Sequence, residues 1–290
     1  MSYQKTALIT GASSGIGFEA TKQLADKGYK IYAAARRLTL LESLEAKYPG
    51  QVIAVELDVS DPEQIVALRE RFAAELPDQK LDLLYNNAGQ SCTFAATDAT
   101  HEIVERAFKV NVFGPMNLCR ELSQFLINSG GTIVFTGSVA GLVPFPFGSV
   151  YGATKAAIHQ YARVLHQEMK CFNVRVINVV TGGVHTDIAD KRGVPENSLF
   201  NVPEARAALE ARREMAKNNH PMSVEKYVAR VVHDIESRRD PVDVYRGRVA
   251  SLAYWISWLV PYAVLERIVF YRFKLFPFYN AMRRKHPKSD

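Results

Sequence analysis

Short apolar runs alternate with longer helical stretches along most of this chain, and that alternation limits the fold to very few topologies. The runs lie at Ala7–Thr10, Lys30–Ala35, Gln51–Leu57, Leu81–Tyr85, Thr132–Gly137 and Val174–Val180. Between them, Phe18–Lys27, Pro62–Leu76, Glu102–Phe113, Pro115–Ile127 and Gly152–Phe172 carry apolar residues at helical spacing. Strands separated by helices pair in parallel, with right-handed crossovers. The sequence therefore predicts an α/β fold, a doubly wound parallel sheet. After Val180 the rhythm breaks over residues 181–222, a mixed stretch with Gly182, Gly183, Pro195, Pro203 and Pro221. So long an excursion in a compact domain is usually functional, and here it reads as a substrate lid. A helix over Ser223–Arg238 and a short strand at Val242–Tyr245 close the body.

Composition then shifts. Val249–Leu265 is 17 residues without a charge, and it carries Tyr254, Trp255, Trp258 and Tyr262. Residues 249–290 hold seven Lys/Arg against two acids, a net +5 of the chain's +6. The positive charge thus belongs to the tail, which argues against a nucleic-acid-binding body and for a tail facing an anionic lipid surface. Seventeen residues rise about 25 Å as a helix, short of the ~30 Å hydrocarbon core, and Pro261 kinks the segment. An interfacial anchor fits better than a span, while a core helix or a homodimer contact is the alternative. The organisation expected is a catalytic domain over 1–248 and an attachment tail over 249–290.

Cys92, Cys119 and Cys171 are widely spaced, with no CxxC pair, so neither a zinc site nor a disulfide framework is indicated. The chain starts MSYQKTALIT and passes directly into an apolar run, without the pattern of a cleaved secretory signal.

Thr10-Gly11-Ala12-Ser13-Ser14-Gly15-Ile16-Gly17 joins the first strand to the first helix. Glycines there let backbone approach a pyrophosphate, and the helix N-terminus offers it N–H groups and a positive dipole end. Gly11, Ser13, Ser14, Gly15, Ile16 and Gly17 are the candidate cofactor residues of this turn. Arg36 and Arg37 follow the second strand, where a carboxylate would read the ribose hydroxyls of NAD; a cation there pairs with the 2′-phosphate of NADPH. Asp58 follows the third strand and can accept from an adenine amino group. Asn86-Asn87-Ala88-Gly89 follows the fourth, at the edge where open α/β sheets bind ligands.

Tyr151 and Lys155 stand four residues apart, on one helix face. An ammonium beside a phenol favours phenolate and lowers its pKa from about 10, so Tyr151 is a candidate proton donor to a developing alkoxide. Ser138, ending the fifth strand, can orient the same oxygen, and Asn111 can complete a water-linked relay.

TGASSGIG, NNAG, Asn111, Ser138 and YGATK, in that order, resemble the short-chain dehydrogenase/reductase superfamily over about residues 5–245. The resemblance implies a Rossmann-type sheet, Tyr151 as acid/base, Lys155 on the nicotinamide ribose, Ser138 on the substrate carbonyl and Asn111 in the proton relay. It also implies Asn87, Val184 and Thr186 as cofactor contacts, Thr186 at the carboxamide. Thr181-Gly182-Gly183 departs from the Pro-Gly usual after the sixth strand, so a looser nicotinamide turn is expected.

Within the superfamily, LDLLYNNAGQSCTF, GTIVFTGS, AAIHQYAR, TGGVHTDIADKR and DPVDVYRG are similar to the NADPH-dependent 1-acyldihydroxyacetone-phosphate reductases of lipid particles and endoplasmic reticulum. That likeness fades in the tail. It implies reduction of the acyl-dihydroxyacetone-phosphate ketone to 1-acylglycerol 3-phosphate, a step of phosphatidate synthesis. It implies lipid-droplet and endoplasmic-reticulum membrane attachment, with the catalytic domain cytosolic. Hydroxysteroid and retinol dehydrogenases are the rivals of the same fold, and cations lining the pocket would discriminate against them; Lys191, Arg192, Arg206, Arg212 and Arg213 are the candidates. A non-catalytic NADPH sensor is a further alternative. So is a lipid-ester hydrolase, because Gly137-Ser138-Val139-Ala140-Gly141 also fits G-x-S-x-G.

Overall fold

The computed structural model describes residues 3–186, 192–218 and 220–287. Seven parallel strands form one sheet: β1 (Thr6–Thr10), β2 (Lys30–Ala35), β3 (Val52–Glu56), β4 (Leu83–Asn86), β5 (Thr132–Thr136), β6 (Arg175–Thr181) and β7 (Asp243–Arg246). Their order is β3-β2-β1-β4-β5-β6-β7. The order reverses between β1 and β4, which makes their C-terminal ends the switch point where such sheets take ligands.

Both faces of the sheet are covered, which explains the nearly continuous apolar runs. In β1, Leu8 joins a core with Tyr32, Phe72, Leu118 and Phe125, while Ala7 and Ile9 point to the opposite core with Leu24, Tyr227 and Val231. Helices α3 (Pro62–Glu75), α5 (Gly114–Ser129) and α6 (Ser149–Met169) cover the first face; α1 (Gly15–Asp26) and α8 (Val224–Glu236) cover the second. Local signals set the boundaries. Asp61 accepts from the N–H groups of Glu63 and Gln64 ahead of α3, and Gly130, at φ +61°, ends α5. The short α2 (Glu42–Lys47) was not expected.

Two helical readings differ from expectation. Glu102–Phe113 is not one α-helix: α4 (His101–Phe108) passes into a π-helical turn, Lys109–Phe113, which feeds α5. Pro115 has no N–H to return to the Asn111 carbonyl, so the bonding pattern widens there. Within the 181–222 excursion, α7 (Pro203–Asn218) is helical, and Val184 bridges to Met222 so that the segment leaves and rejoins the body at one place.

The tail is three helices: α9 (Ala250–Leu259), α10 (Tyr262–Arg272) and α11 (Leu275–Lys285). The break falls at Val260 and Pro261, where the sequence predicts a kink. Among the described residues no helix is long and apolar enough to cross a membrane. The tail also packs on the body. Ala253 and Leu265 share a buried cluster with Val143, Phe273 stacks edge-on against Phe145, and Phe278 contacts Phe147 and Phe200. Arg284 reaches Glu204 of α7 at 3.9 Å.

Candidate active site

The glycine turn between β1 and α1 is built for close backbone approach. Gly11 sits at φ +66°, and a Cβ on it would lie 2.9 Å from the Ala88 Cα. A Cβ on Gly17 would lie 2.4 Å from the Gly11 carbonyl oxygen. Ser14 is the α1 N-cap, yet its side chain makes no capping hydrogen bond and the first turn holds no acid. Its N–H groups and dipole thus suit an anionic ligand, and the cradle fits a dinucleotide pyrophosphate. Ser13 and Ser14 edge the turn, and Ile16 packs into the core below. Opposite Gly15, the Thr186 methyl lies 3.5 Å from where a Cβ would stand.

Thr10 joins this turn to the NNAG segment. Its hydroxyl accepts from the N–H groups of Asn87 (3.1 Å) and Ala88 (3.0 Å). Asn87 in turn donates to the Thr10 carbonyl at 3.0 Å and accepts from the Thr136 hydroxyl at 3.2 Å. Arg36 and Arg37 are exposed just past β2, with no ion pair among the described residues. Asp58 accepts from Ser60 and, at 2.9 Å, from Arg106. Burial pushes its pKa up, but the Ser60 hydrogen bonds and the Arg106 cation outweigh that and hold it low. It stays a carboxylate with lone pairs to offer.

The chemistry-bearing side chains meet beside these strand ends. Asn111, in the π-turn, is buried; its amide donates to the Gln90 carbonyl (3.0 Å) and the Thr154 hydroxyl (3.1 Å) and accepts from the Gln90 N–H (2.9 Å). Tyr151 lies in the first turn of α6, where the Ser138 side chain acts on its phenol. Lys155, one turn on, donates to the Thr136 carbonyl at 2.7 Å, with its Nζ 5.7 Å from the Tyr151 ring centroid.

Their electrostatics differ from the sequence expectation. Burial raises the Tyr151 pKa, and the Ser138 hydrogen bond and the charge of Arg212 pull against it. Arg212 of α7 therefore acts on Tyr151 as a second cation beside Lys155. Lys155 is itself buried, which pushes its pKa down to about 8.

The Thr181-Gly182-Gly183 turn is held tightly, against the expectation of looseness. The Gly182 N–H donates to the Arg246 carbonyl at 2.8 Å, and Gly183 and Arg248 exchange two backbone hydrogen bonds. Thr181 also shares a 2.7 Å hydrogen bond with the Tyr227 hydroxyl. Val184 leaves this pinned corner towards Thr186.

Ser138 does not have the surroundings of a hydrolase nucleophile. Its backbone is extended (φ −157°, ψ 148°), its hydroxyl accepts from the Ala140 N–H, and its own N–H donates to His159 Nε2 at 3.1 Å. The nearby imidazole thus serves the backbone and not the Oγ, and the turn lacks the strain of a nucleophile elbow. Among the described residues no group of His, Cys, Asp and Glu is arranged to hold a metal.

Sequence reading missed the supporting residues: Thr10 and Thr136 on the NNAG turn, Thr154 on Asn111, and His159 beneath Ser138. Thr154 lies inside YGATK and was within reach; the others carry no local signature. Of the five lid cations, Lys191 lies outside the described residues, and among the described ones it is Arg212 whose charge acts on Tyr151.

Comparison with known proteins agrees with this geometry. A family model described as "short chain dehydrogenase" matches residues 5–197. An NADPH-dependent 1-acyldihydroxyacetone phosphate reductase of Saccharomyces cerevisiae is 57% identical over 99% of this chain and 97% of its own. A protein of the same name from Schizosaccharomyces pombe is 32% identical over 86% of this chain and 81% of its own. The crystal structure of a short-chain dehydrogenase from Streptomyces avermitilis superposes with a TM-score of 0.78 at 27% identity, covering 98% of both chains. The fold, the ordered motifs and these likenesses converge on one conclusion: the chain belongs to the short-chain dehydrogenase family.

Proposed function

We propose that this chain is an NADPH-dependent carbonyl reductase that reduces 1-acyldihydroxyacetone phosphate to 1-acylglycerol 3-phosphate. The observation that carries the substrate is the 57% identity running through 99% of the chain, tail included. The reaction class rests on the joined set of Ser138, Tyr151, Lys155 and Asn111.

NADPH, when bound, supplies hydride to the ketone carbon. The chain does the remainder. The Gly11–Gly17 turn and the α1 N-terminus hold the pyrophosphate, Arg36 and Arg37 the 2′-phosphate, Asp58 the adenine, and Asn87, Val184 and Thr186 the nicotinamide end. Ser138 and Tyr151, whose side chains already act on each other, both reach one carbonyl oxygen; Ser138 donates to it and Tyr151 gives it a proton as negative charge develops. Lys155 holds the nicotinamide ribose, and Asn111, fixed by Thr154 and Gln90, anchors the relay that returns a proton to Tyr151.

The same reading puts the enzyme on lipid droplets and the endoplasmic-reticulum membrane, with its catalytic domain in the cytosol. Support comes from the outer face of the tail: Trp255, Trp258, Leu259, Tyr262, Ile268 and Tyr271 are exposed, beside exposed Arg267 and Lys274. Large exposed apolar patches mark interaction surfaces, and aromatic residues flanked by cations suit a headgroup layer.

NADPH oxidation against acyl-dihydroxyacetone phosphate, a ketosteroid and retinal tests the substrate. The acyl phosphate is expected to have the highest kcat/KM; faster turnover of the steroid or retinal overturns the reading.

A further inference from the structure

The cations of the 181–222 excursion do not behave alike. Arg206 is exposed and donates to the Asn201 side chain at 2.8 Å. Arg213 pairs with Glu210 at 3.7 Å and donates to the Arg192 carbonyl. Arg192 stacks on the Phe94 ring at 4.3 Å. Arg212 stands apart. Its Nε, like that of Arg213, is shielded from solvent without a hydrogen-bond partner, but its guanidinium has only the Phe145 ring, 5.0 Å from the centroid. No acid pairs with it among the described residues. The Nε of this half-buried guanidinium has lost water and gained little but a ring face, so among the described residues its charge has no compensating anion. Its planar fork matches a phosphate.

The neighbours say which anion. Arg212 lies on the ring of Phe145, whose carbonyl accepts from the N–H of Gly148 at the start of α6, three residues before Tyr151, and its charge acts on the Tyr151 phenol. Its stacking partner Phe145 packs on Phe273 and borders the apolar cluster of Val143, Ala253 and Leu265. Proton donor, cation and apolar wall therefore adjoin one another.

We infer that Arg212 binds the phosphate monoester of the substrate, so that the site selects ketones bearing a phosphate beside the reacting carbon. This rests on the substrate reading above and adds the residue that enforces it. In acyl-dihydroxyacetone phosphate one methylene and one ester oxygen separate the ketone from phosphorus. A ketone hydrogen-bonded to Tyr151 thus brings its phosphate against the cation beside Tyr151. The acyl arm leaves from the other side of the ketone.

The test compares kcat/KM for acyl-dihydroxyacetone phosphate and for the same ketone without its phosphate, in the full-length parent, Arg212→Met and Arg212→Lys. The parent is expected to prefer the phosphorylated ketone. Arg212→Met is expected to shrink that preference about ten- to a hundredfold, as loss of a charge-assisted contact requires. Arg212→Lys, a point charge without the fork, is expected to fall between. NADPH binding by fluorescence verifies folding; if the Met variant does not fold, Arg212→Gln replaces it. An unchanged preference overturns the inference. So does an equal loss on both ketones with a shifted pH profile, which would mean that Arg212 acts only through Tyr151. A parent with no preference for the phosphorylated ketone overturns the substrate reading as well, whereas a preference surviving in Arg212→Met overturns this inference alone.

Discussion

The Lys155 ammonium donates to the Thr136 carbonyl at 2.7 Å while standing 5.7 Å from the centre of the Tyr151 ring. One buried cation therefore joins the end of β5 to the proton donor. Burial pushes its pKa down to about 8, so Lys155 is charged below that pH and neutral above it. The proposed reduction needs the charged form. kcat/KM is expected to be flat through neutral pH and to fall above about pH 8. In Lys155→Arg, whatever activity survives should lose that limb, because guanidinium does not deprotonate in this range. A parent profile without a basic limb before pH 10 contradicts the assignment.

Arg36 and Arg37 are expected to set the cofactor preference. Both are exposed past β2. Replacing both by Ala should raise KM for NADPH about ten- to a hundredfold, the loss of roughly 1.5–3 kcal/mol of charge-assisted contact, and barely alter KM for NADH. An unchanged NADPH/NADH ratio would mean that the 2′-phosphate is read elsewhere.

His159 gives a stability prediction. Burial lowers its pKa to about 4, with Lys155 and Arg163 adding to the effect and Asp243 opposing it. The unfolded chain binds this proton near pH 6.5, so between about 6.5 and 4 the unfolded state holds more protons. Stability should fall as pH drops through that window, by at most about 3 kcal/mol from this group. Thermal unfolding of the parent and of His159→Gln, followed from pH 7 to 4, should show a shallower decline in the variant. Parallel declines would remove His159 from the explanation.

The tail is expected to have two separable sides. Trp255 and Trp258 are 57% and 74% exposed, so changing both to Glu should reduce flotation with anionic liposomes and leave activity on a short-chain, soluble ketone within a few-fold. Phe273 is 2% exposed against Phe145; Phe273→Ala should cost about 3–5 kcal/mol of stability. Undiminished flotation of the double Glu variant would refute the lipid-facing side.

The strands were legible because a parallel sheet buried on both faces demands continuous apolar runs, as in β2 and β5. The glycine turn, Ser138, Tyr151 and Lys155 were legible because their spacing is local. What escaped is set by contacts distant in sequence. The π-turn at Asn111 depends on Pro115 removing one donor, within an otherwise helical pattern. The electrostatics of Tyr151 depend on Arg212, 61 positions away by the numbering of the chain, in a stretch whose cations look alike in sequence. Thr181-Gly182-Gly183 reads as loose until β7 is placed beside β6 to receive the Gly182 N–H. Val249–Leu265 shows its lack of charge, but not that Ala253 and Leu265 turn inward while Trp258 turns out.

The central claim is that Tyr151 protonates the oxygen of acyl-dihydroxyacetone phosphate during NADPH-dependent reduction. Tyr151→Phe tests it most directly, since the ring keeps its volume and loses only the acid. The measurement is kcat on acyl-dihydroxyacetone phosphate alongside NADPH affinity for parent and variant. The expected result is a fall of about 10²–10⁴-fold in kcat, with NADPH affinity within a few-fold of the parent. Activity above about a tenth of the parent's, well outside that range, would contradict the claim.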